Sequence, residues 1–559
     1  MTRLTLALFC GASACFGSTY TVRTAAELLA RTPQMRAGDT LLLEPGTYSV
    51  SSWNVTRLVG AAQAPITFRG TGAGVVILGT AYANVVNVTD CHWLRFEDLE
   101  ITSTGQHPDV DGVKFGTGTR SSNVVFERCR IHGLDGNGIS AQADLVDRLT
   151  VTGCEIADVG VCGLYLGYPS PLRQVTNTVI RNCWIHDCAN GSNEGYGIQI
   201  KGGSWGALIE NNVLHDVGGT TRAGVAVYYA DPAGGQPPER WNLIRGNVLW
   251  NVRNEGIYAV NSAVIENNVV FDAVTGISIT SYGGNVVDQL LIRNNTIYRC
   301  ARYGIWFGDA DRARASVLIA NNAALMEGAM VPAYRAAIGL GPATAFDNAA
   351  YGTSNFATGV FAVGAPATQF VRAGPGTGPG TIDLGPSAAG ALRNRALPGT
   401  APQTDADGGW RDARPDVGAY EAAAAARWIP RAAFKPELDP LTPLWQEVPR
   451  GGTAQLRLRH GAPAETRYAL LMSLSGPWPG GWVPVIPDGA TLLSLHPLPG
   501  VLEGYVGTLP GPGERVMRLT FPLPPGLPPL VIYHAAILAD PASGRVVGIT
   551  NCARVVLRP

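Results

Sequence analysis

Residues 265–297 read IENNVVFDAVTGISITSYGGNVVDQLLIRNNTI, and one short pattern occurs twice within them. An aliphatic residue is followed three positions later by Asn and five positions later by a second aliphatic residue, once around Asn268 and once around Asn295. Between the two copies, Gly276 opens a segment in which aliphatic residues occupy every second position. Alternating apolar positions with Gly and Asn at the corners are typical of short strands joined by sharp turns.

Both patterns recur along the chain between residues 96 and 324. The residues at the central position of the first pattern are Leu99, Cys129, Cys154, Cys183, Asn212, Asn247, Asn268, Asn295 and Asn322. Successive members of this series are 30, 25, 29, 29, 35, 21, 27 and 27 residues apart. Self-similarity of this period, with two or three short strands in each copy, is typical of a solenoid. The sequence therefore predicts an all-β fold, a parallel β-helix whose stacked coils place equivalent residues about 4.8 Å apart.

The central position also predicts a buried ladder. Asn at a stacked corner can satisfy backbone groups of the turn from one coil to the next through its side-chain amide. Cys129, Cys154 and Cys183 take this position on three successive coils. They could form a disulfide or a metal site, or they could be small buried thiols in the place of Asn, and the sequence favours buried thiols.

The repeat and the segments around it resemble the secreted right-handed parallel β-helix proteins of the pectate-lyase-like superfamily. Residues 24–27 (TAAE) resemble the capping box of a lid helix, and residues 37–48 (AGDTLLLEPGTY) resemble the entry to the first coil. Residues 404–411 (TDADGGWR) and 414–421 (RPDVGAYE) resemble the terminal signature of that group. The resemblance covers roughly residues 19–421 and implies a right-handed β-helix. It implies no single activity, because the fold carries lyases, hydrolases, epimerases and adhesins.

Four segments are predicted along the chain. Residues 1–17 combine one Arg, a short apolar run and small residues, which is the pattern of a signal peptide. Residues 18–421 form the β-helix, and residues 422–450, rich in Ala and Pro, form a linker. Residues 451–559 contain strands of period two that predict a small antiparallel β-sandwich.

The signal pattern predicts a secreted, periplasmic or cell-surface protein. A lipid anchor at Cys15 is an alternative, because residues 12–15 resemble a bacterial lipobox. No other apolar stretch approaches 18 residues, so no transmembrane segment is predicted.

Composition narrows the choice of partner. The chain has 42 Lys+Arg and 43 Asp+Glu, which gives a formal net charge of −1. There is therefore no excess of positive charge that would favour binding to nucleic acid. Charged residues make up 15%, and 69 of the 559 residues are Gly, which excludes a disordered or coiled-coil chain. We expect a monomer whose partner is a polysaccharide.

The strand pattern predicts which side chains point outward on one face. In each Gly-aliphatic-x-aliphatic segment the aliphatic side chains point inward, so the residue between them and the residue after the second point out. The first outward column is Lys114, Ser140, Tyr165, Gln199, Ala226, Tyr258, Ser278 and Trp306. The second column is Gly116, Gln142, Gly167, Lys201, Tyr228, Val260, Thr280 and Gly308. Aromatic faces with scattered hydrogen-bonding groups suit a polysaccharide. The predicted substrate-binding residues are Lys114, Tyr165, Gln199, Tyr258 and Trp306.

Lys201 is the predicted catalytic residue. A lyase acting on a uronic acid needs a base of lowered pKa for the C5 proton and a cation near the acid group. Tyr228 lies one coil on from Lys201, and Arg222 lies in a loop feeding these strands, so these three residues form the predicted catalytic centre of a polysaccharide lyase on an acidic glycan. The alternative is a solvated lysine whose stem packs over neighbouring rings.

The segment from Glu194 to Lys201 resembles the acidic-then-lysine stretch of the chondroitinase B and alginate lyase family. The resemblance implies that Glu194 is a Ca²⁺ ligand and Lys201 the base, but Tyr196 replaces a second acidic ligand. Asp109 and Asp111 either form a Ca²⁺ loop or favour a turn, and turn chemistry is preferred.

Two other functions stay open. Glu194 and Glu255 lie two coils apart, which fits an inverting glycoside hydrolase, but the polygalacturonase motifs are absent. A non-catalytic cell-surface or glycan-binding β-helix protein would also use an aromatic strip. The pairs His186-Asp187 and His215-Asp216 resemble catalytic dyads, but they take the same position on successive coils and are predicted to be structural.

Overall fold

The computed structural model describes residues 17–422, with gaps at 73, 106–108, 169–172, 190–192, 310–311, 315, 338, 375–381, 403–404, 407–410 and 412–413, and beyond them only the C-terminal strands. The predicted signal peptide, apart from Gly17, lies outside the described residues, as does Cys15. Among the described helices, none is long and apolar enough to cross a membrane.

The described coils form a right-handed parallel β-helix with three walls, and every pairing between coils is parallel. The first wall consists of Thr19–Val22, Thr40–Leu43, Ile66–Gly70, His92–Glu97, Arg120–Glu127, Thr150–Thr152, Val179–Arg181, Leu208–Glu210, Asn242–Arg245, Asn261–Glu266, Asp288–Arg293, Val317–Ala320 and Thr344–Phe346, with Leu145–Asp147 and Gln174–Thr176 beside it. The second wall consists of Gly46–Val50, Val75–Gly79, Glu100–Ser103, Arg130–Leu134, Glu155–Val159, Trp184–Cys188, Val213–His215, Val248–Ala259, Val269–Ile279, Thr296–Tyr298, Ala323–Leu325, Asn348–Tyr351 and Val360–Ala362. The third wall consists of Trp53–Thr56, Val86–Thr89, Val113–Phe115, Ile139–Ala141, Leu164–Leu166, Ile198–Ile200, Val225–Val227, Tyr303–Phe307, Pro332–Ala336 and Thr353–Ser354, and it shares the two long strands 248–259 and 269–279 with the second wall.

Inward side chains of the three walls fill the core as continuous stacks. Phe68, Phe96 and Phe126 occupy equivalent positions on successive coils of the first wall, with ring centroids 5.2 and 4.8 Å apart, and all three are fully buried. Trp53 meets Phe68 edge to face at 5.1 Å. Because each coil is covered only by its two neighbours, burial accumulates coil by coil along the axis.

The start of the core is covered by a short helix. Ala25–Arg31 forms this helix, and the hydroxyl of Thr24 accepts a hydrogen bond from the Glu27 amide at 3.2 Å, as the capping pattern predicts. Leu28 on its inner side is fully buried. A 3₁₀ turn, Thr32–Gln34, follows the helix.

The predicted ladder lies between the first and second walls. From Asn212 to Asn322, each Asn side-chain amide donates to the next Asn and to a backbone carbonyl of the preceding coil, and Asn348 accepts the last of these bonds. The ladder residues joined in this way are Asn212, Asn247, Asn268, Asn295, Asn322 and Asn348. Cys129, Cys154 and Cys183 continue it as buried free thiols, so the prediction of thiols in the place of Asn is confirmed.

We expect the seven cysteines of the described residues to resist alkylation in the native protein and to react once it is unfolded. Burial raises the pKa of each thiol whose shift is resolved, that of Cys162 to about 12, and the thiolate is the reactive form. Iodoacetamide labelling followed by peptide mass spectrometry measures each site. Native labelling of Cys129 or Cys154 would contradict this picture of the ladder.

The last part of the β-helix unit folds back over the second wall. We call residues 366–421 the return segment; it includes the short helix Pro366–Gln369, the antiparallel pair Phe370–Arg372 and Asp383–Pro386, and a 3₁₀ turn at Pro398–Thr400. Its apolar side chains bury a patch of second-wall residues. That patch consists of Val213, Val248, Val269, Phe271, Tyr298, Ala323, Leu325 and Ala349.

The C-terminal strands form two further sheets. The three-stranded sheet contains Glu437–Pro440, Thr453–His460 and Gly513–Thr520. The other contains Trp445–Val448, Ala553–Leu557, Leu530–Ala539, Arg467–Ser473, Val506–Thr508 and Val546–Ile549. All pairings are antiparallel except that of Trp445–Val448 with Ala553–Leu557.

Two of these strands, Glu437–Pro440 and Trp445–Val448, lie inside the predicted 422–450 linker. Pro is tolerated in strands at a sheet edge, where a missing N–H costs little, and the linker boundaries stay a prediction. The other domain boundaries stay predictions.

Candidate functional site

The predicted outward column lies on the third wall in the expected register. Lys114 pairs with Ser140, and the pairing continues coil by coil to Trp306. The prediction of this column is confirmed, because strands of period two that stack without slipping carry every second residue to the same face.

Lys201 follows the strand Ile198–Ile200, and its amide donates to the Leu166 carbonyl at 2.8 Å, which continues the strand register. Its Nζ lies 4.6 Å from the centroid of the Tyr165 ring and 5.9 Å from that of the Tyr228 ring. Gly167 makes room for this arrangement, since a Cβ there would lie 3.0 Å from the Lys201 Cβ and 2.6 Å from a Ser204 hydroxyl.

The surroundings of Lys201 make its ammonium easier to deprotonate than that of an exposed lysine. Burial lowers the pKa of this ammonium below its ordinary value, and the Arg222 charge lowers it further, against opposing effects of Cys162 and Glu194. Within the described part of the chain, no carboxylate lies within ion-pair distance of its Nζ. A lysine in this state can accept a proton closer to neutral pH than an exposed lysine.

Two tyrosines form a hydroxyl pair beside Lys201. The hydroxyls of Tyr196 and Tyr228 lie 2.7 Å apart, and the Gln199 amide donates to the Tyr228 hydroxyl at 3.4 Å. Burial raises the pKa of both tyrosines, so both stay protonated and can donate. Gln199 is only 1% exposed, so its predicted place on the substrate surface needs correction: it supports Tyr228 from beneath.

Arg222 and Glu194 lie at the edge of this site. Arg222 Nη2 lies 3.3 Å from Glu194 Oε1, and the Glu194 side chain is 75% exposed. Ca²⁺ takes six to eight oxygen ligands. The described residues contain no group of three or more His, Cys, Asp or Glu that could hold a metal ion. An exposed carboxylate engaged with a guanidinium does not fit a Ca²⁺ ligand, and we derive no step through the metal.

Lys114 is held in place three coils away. Its Nζ donates to Asp111 Oδ2 at 2.9 Å and to the Ser140 hydroxyl at 3.0 Å. Asp111 Oδ1 accepts from the backbone and side-chain amides of Asn137. Both carboxylate oxygens of Asp111 are therefore engaged within the protein, as the turn interpretation predicts.

Aromatic residues continue the strip in the other direction. The Tyr258 hydroxyl donates to the Ser281 carbonyl at 3.3 Å, and Trp306 stacks on Tyr303 with centroids 4.8 Å apart. Tyr282, which is 51% exposed, meets the Tyr228 ring edge to face at 4.7 Å. Tyr282 and Tyr303 did not emerge from the sequence, because neither occupies an outward position of a repeat segment. Tyr196 was considered only as the replacement of an acidic ligand.

Glu255 is the second carboxylate named by the hydrolase alternative. Burial raises its pKa, which suits a general acid, and the Arg222 charge opposes this shift. Its predicted partner Glu194 is instead exposed and engaged with Arg222. The described residues therefore supply one carboxylate of raised pKa, Glu255, and not the acid and base pair that an inverting hydrolase needs.

The two His-Asp pairs lie on the second wall, away from the strip. The rings of His186, His215, Trp250 and Phe271 stack with centroids 5.0, 4.4 and 5.9 Å apart. Each imidazole Nδ1 lies within 2.7 Å of the adjacent Asp carboxylate. The prediction that these pairs are part of a structural stack is confirmed.

Comparisons with known proteins agree with this architecture. A family model described as "Right handed beta helix region" matches residues 66–233. A second, described as "Periplasmic copper-binding protein (NosD)", matches residues 187–328. No curated protein matches the sequence significantly.

Among solved structures, the chain is similar to the PL6 family alginate lyase AlyGC, with 16% identity over 78% of this chain and 62% of that chain and a TM-score of 0.46. A mannuronic acid specific family 6 lyase from human gut microbiota matches at 17% identity over 62% of this chain and 90% of that one, with a TM-score of 0.40. The GH136 lacto-N-biosidase from Eubacterium ramulus matches at 14% identity over 62% and 67%, with a TM-score of 0.37. This chain spans about three fifths of AlyGC. The two family models and the coil-to-coil pairing identify the chain as a right-handed parallel β-helix protein.

Proposed function

We propose that this chain is a carbohydrate-active enzyme, a polysaccharide lyase that cleaves an acidic glycan by β-elimination at Lys201. One observation carries the proposal. The Lys201 amine lies against two phenol rings, its pKa is lowered by burial, and Arg222 is close enough to lower it further.

In this proposal Lys201 is the base and Arg222 the electrostatic partner. The neutral amine of Lys201 removes the C5 proton of a uronate residue, and the C5–H electron pair becomes the C4–C5 double bond. Negative charge builds up on the uronate carboxylate as the proton leaves. The guanidinium of Arg222 stabilises that charge through two parallel hydrogen bonds.

Tyr228 is the proton donor. As the C4–O bond breaks, the leaving oxygen takes the phenolic proton of Tyr228, and the Tyr196 hydroxyl 2.7 Å away stabilises the phenolate. The lowered pKa of Lys201 supports its role as the base. Tyr228 takes the role of the acid on its position, with its hydroxyl 2.7 Å from that of Tyr196.

The aromatic strip gives the glycan a path along the coils. Trp306 lies three coils beyond Ala226, or about 14 Å at the coil spacing, with Tyr258 between them. Lys114 lies three coils from the Gln199 strand on the other side. A chain of several sugars can therefore contact both ends while one uronate occupies the Lys201 centre.

We also infer that the protein is exported and acts as a monomer. The sequence pattern of residues 1–17 supports export, and the "periplasmic" description of the family model over residues 187–328 agrees with it. A lipid anchor at Cys15 would tether the exported protein to a membrane surface, and intact-mass measurement of the native protein tests it.

The direct test is to incubate the full chain with alginate, pectate, chondroitin and hyaluronan, with added Ca²⁺ and then with EDTA. Ultraviolet absorbance of the unsaturated uronate product reports elimination. We expect the absorbance to rise with at least one of these polymers and to persist in EDTA. Activity that disappears in EDTA would contradict the site described here.

We expect kcat/KM to rise with pH and to level off at a pH below the ordinary lysine pKa of 10.5. Burial lowers the pKa of Lys201, so the active neutral amine is present above the shifted value and is lost as the pH falls through it. Initial rates measured in one buffer series give the inflection. A rate that falls throughout this range would contradict the assignment of Lys201 as the base.

Two alternatives have distinct outcomes in the same assay. Glycan binding without any product would support a non-catalytic binding protein. New reducing ends without ultraviolet absorbance, lost in Glu255→Gln, would support a glycoside hydrolase, for which the raised pKa of Glu255 is the one favourable observation.

A further inference from the structure

A cavity of about 470 Å³ opens on the outer face of the first wall, not on the strip that carries Lys201. Its floor includes Val125 and Val179, outward side chains of the first-wall strands. Trp93, Asn123, Arg148 and Asn177 line one side of it. These four occupy the same corner position on four successive coils.

All four corner residues have left-handed backbone conformation, with φ values of 58°, 54°, 56° and 53°. Asn adopts this conformation at low cost, and the next coil places Gly206 here with a φ of 70°. Trp and Arg are disfavoured in it, so Trp93 and Arg148 are present against the preference of the backbone. The side chains of both residues line the cavity.

The side chains at this corner are arranged as a ligand site would require. The Trp93 side chain is half-buried, so its ring can offer a surface to the cavity. Asp147 holds the two polar neighbours, accepting from Arg148 Nη1 and from Asn177 Nδ2, each at 2.7 Å. Arg148 has five N–H donors, so several are left for a ligand, and its side chain is 61% exposed.

We propose that this cavity is a second, non-catalytic site that binds a uronate sugar unit of an acidic glycan. The C–H face of the sugar stacks on the Trp93 ring, its carboxylate pairs with Arg148, and its hydroxyls bond the Asn123 and Asn177 amides. The site does not depend on the lyase proposal, since it lies on a different wall and uses none of the same residues.

The test is calorimetric titration of the full chain with trisaccharides of mannuronate, galacturonate and glucuronate. Lys201→Met is used throughout so that no probe is consumed. We expect binding at the first wall to weaken by about tenfold or more in both Trp93→Asn and Arg148→Asn. Because Asn suits the backbone at both positions, we expect neither variant to melt at a lower temperature than its parent.

Arg57→Asn is the matched control. Arg57 is exposed, has a φ of 57° and does not line the cavity, so this change removes the same charge and strain elsewhere. Binding that both cavity variants weaken and the control does not would support the site, even if no polymer is cleaved. Absence of binding to all three trisaccharides at millimolar concentration would overturn it. So would unchanged binding in both variants, or a lower melting temperature in Trp93→Asn, which would assign the indole to packing.

Discussion

We expect the Lys201→Met variant to lose elimination activity by a factor of about 10²–10⁴ in kcat/KM, the contribution of a positioned general base. Methionine is also unbranched and apolar enough to lie beside the Tyr165 and Tyr228 rings, which the Lys201 Nζ faces, but it cannot accept a proton. Lys201→Arg should fail as well, because a guanidinium stays protonated at any working pH. Product absorbance measured against the wild-type protein gives both ratios.

The same variant separates catalysis from stability. A lysine whose pKa is lowered in the folded state destabilises the fold at pH values below the ordinary lysine pKa, and this penalty vanishes above it. Lys201→Met should therefore unfold at no lower urea concentration than the wild type at pH 7. Loss of activity together with loss of stability would indicate damage to the wall and would not identify a base.

The Asn295→Ala variant should lose about 3–5 kcal/mol of unfolding free energy, because several buried polar groups lose their partner at once. Asn295 Nδ2 donates to the Ile265 carbonyl at 2.8 Å and to Asn322 Oδ1 at 2.9 Å. Its Oδ1 accepts from the backbone and side-chain amides of Asn268, each at 3.0 Å. Urea denaturation measures the loss.

The chain supplies the matched control for this change. Cys154 takes the same ladder position, accepting from the Cys129 amide at 3.4 Å and donating to the Phe126 carbonyl at 3.5 Å. We therefore expect Asn295→Cys to cost clearly less than Asn295→Ala. Equal losses in the two variants would mean that side-chain volume, and not the hydrogen-bond ladder, accounts for the effect.

Repetition made the walls predictable from sequence. Once the Gly-aliphatic-x-aliphatic segments are aligned, the alternation of strands places Lys114, Tyr165, Tyr258 and Trp306 on one face without any knowledge of the loops. The Asn and Cys ladder could be predicted for the same reason. Every coil repeats the same strand pattern, so an error in the register of one coil would have disagreed with the pattern of its neighbours.

The parts of the site that depend on loops could not be predicted. Tyr196 and Tyr282 lie outside the strands of the third wall, and whether their rings reach Tyr228 depends on loop paths that a repeat does not specify. Gln199 shows the converse problem. It is outward in register but buried by its neighbours, because alternation fixes the direction of a side chain and not what later covers it.

The cavity on the first wall was also missed. Its signal is the left-handed backbone of Trp93 and Arg148, at a corner that carries Asn on two neighbouring coils and Gly on the next. The sequence alone does not show a backbone angle. The return segment was recognised only as a closing signature. Its apolar residues are spaced irregularly, because they fit a surface built by other coils.

The return segment changes how this solenoid can unfold. A stack of coils normally frays from its ends, since a terminal coil has one neighbour. Here the Ala419 amide donates to Thr296 at 2.8 Å, Arg411 reaches Asn267 at 2.9 Å, and Asn321 bonds Thr400 at 2.9 Å. The last coils cannot unfold one at a time while these hydrogen bonds remain. Unfolding from this end becomes one concerted event, and resistance to proteolysis would be governed by the rate of that event.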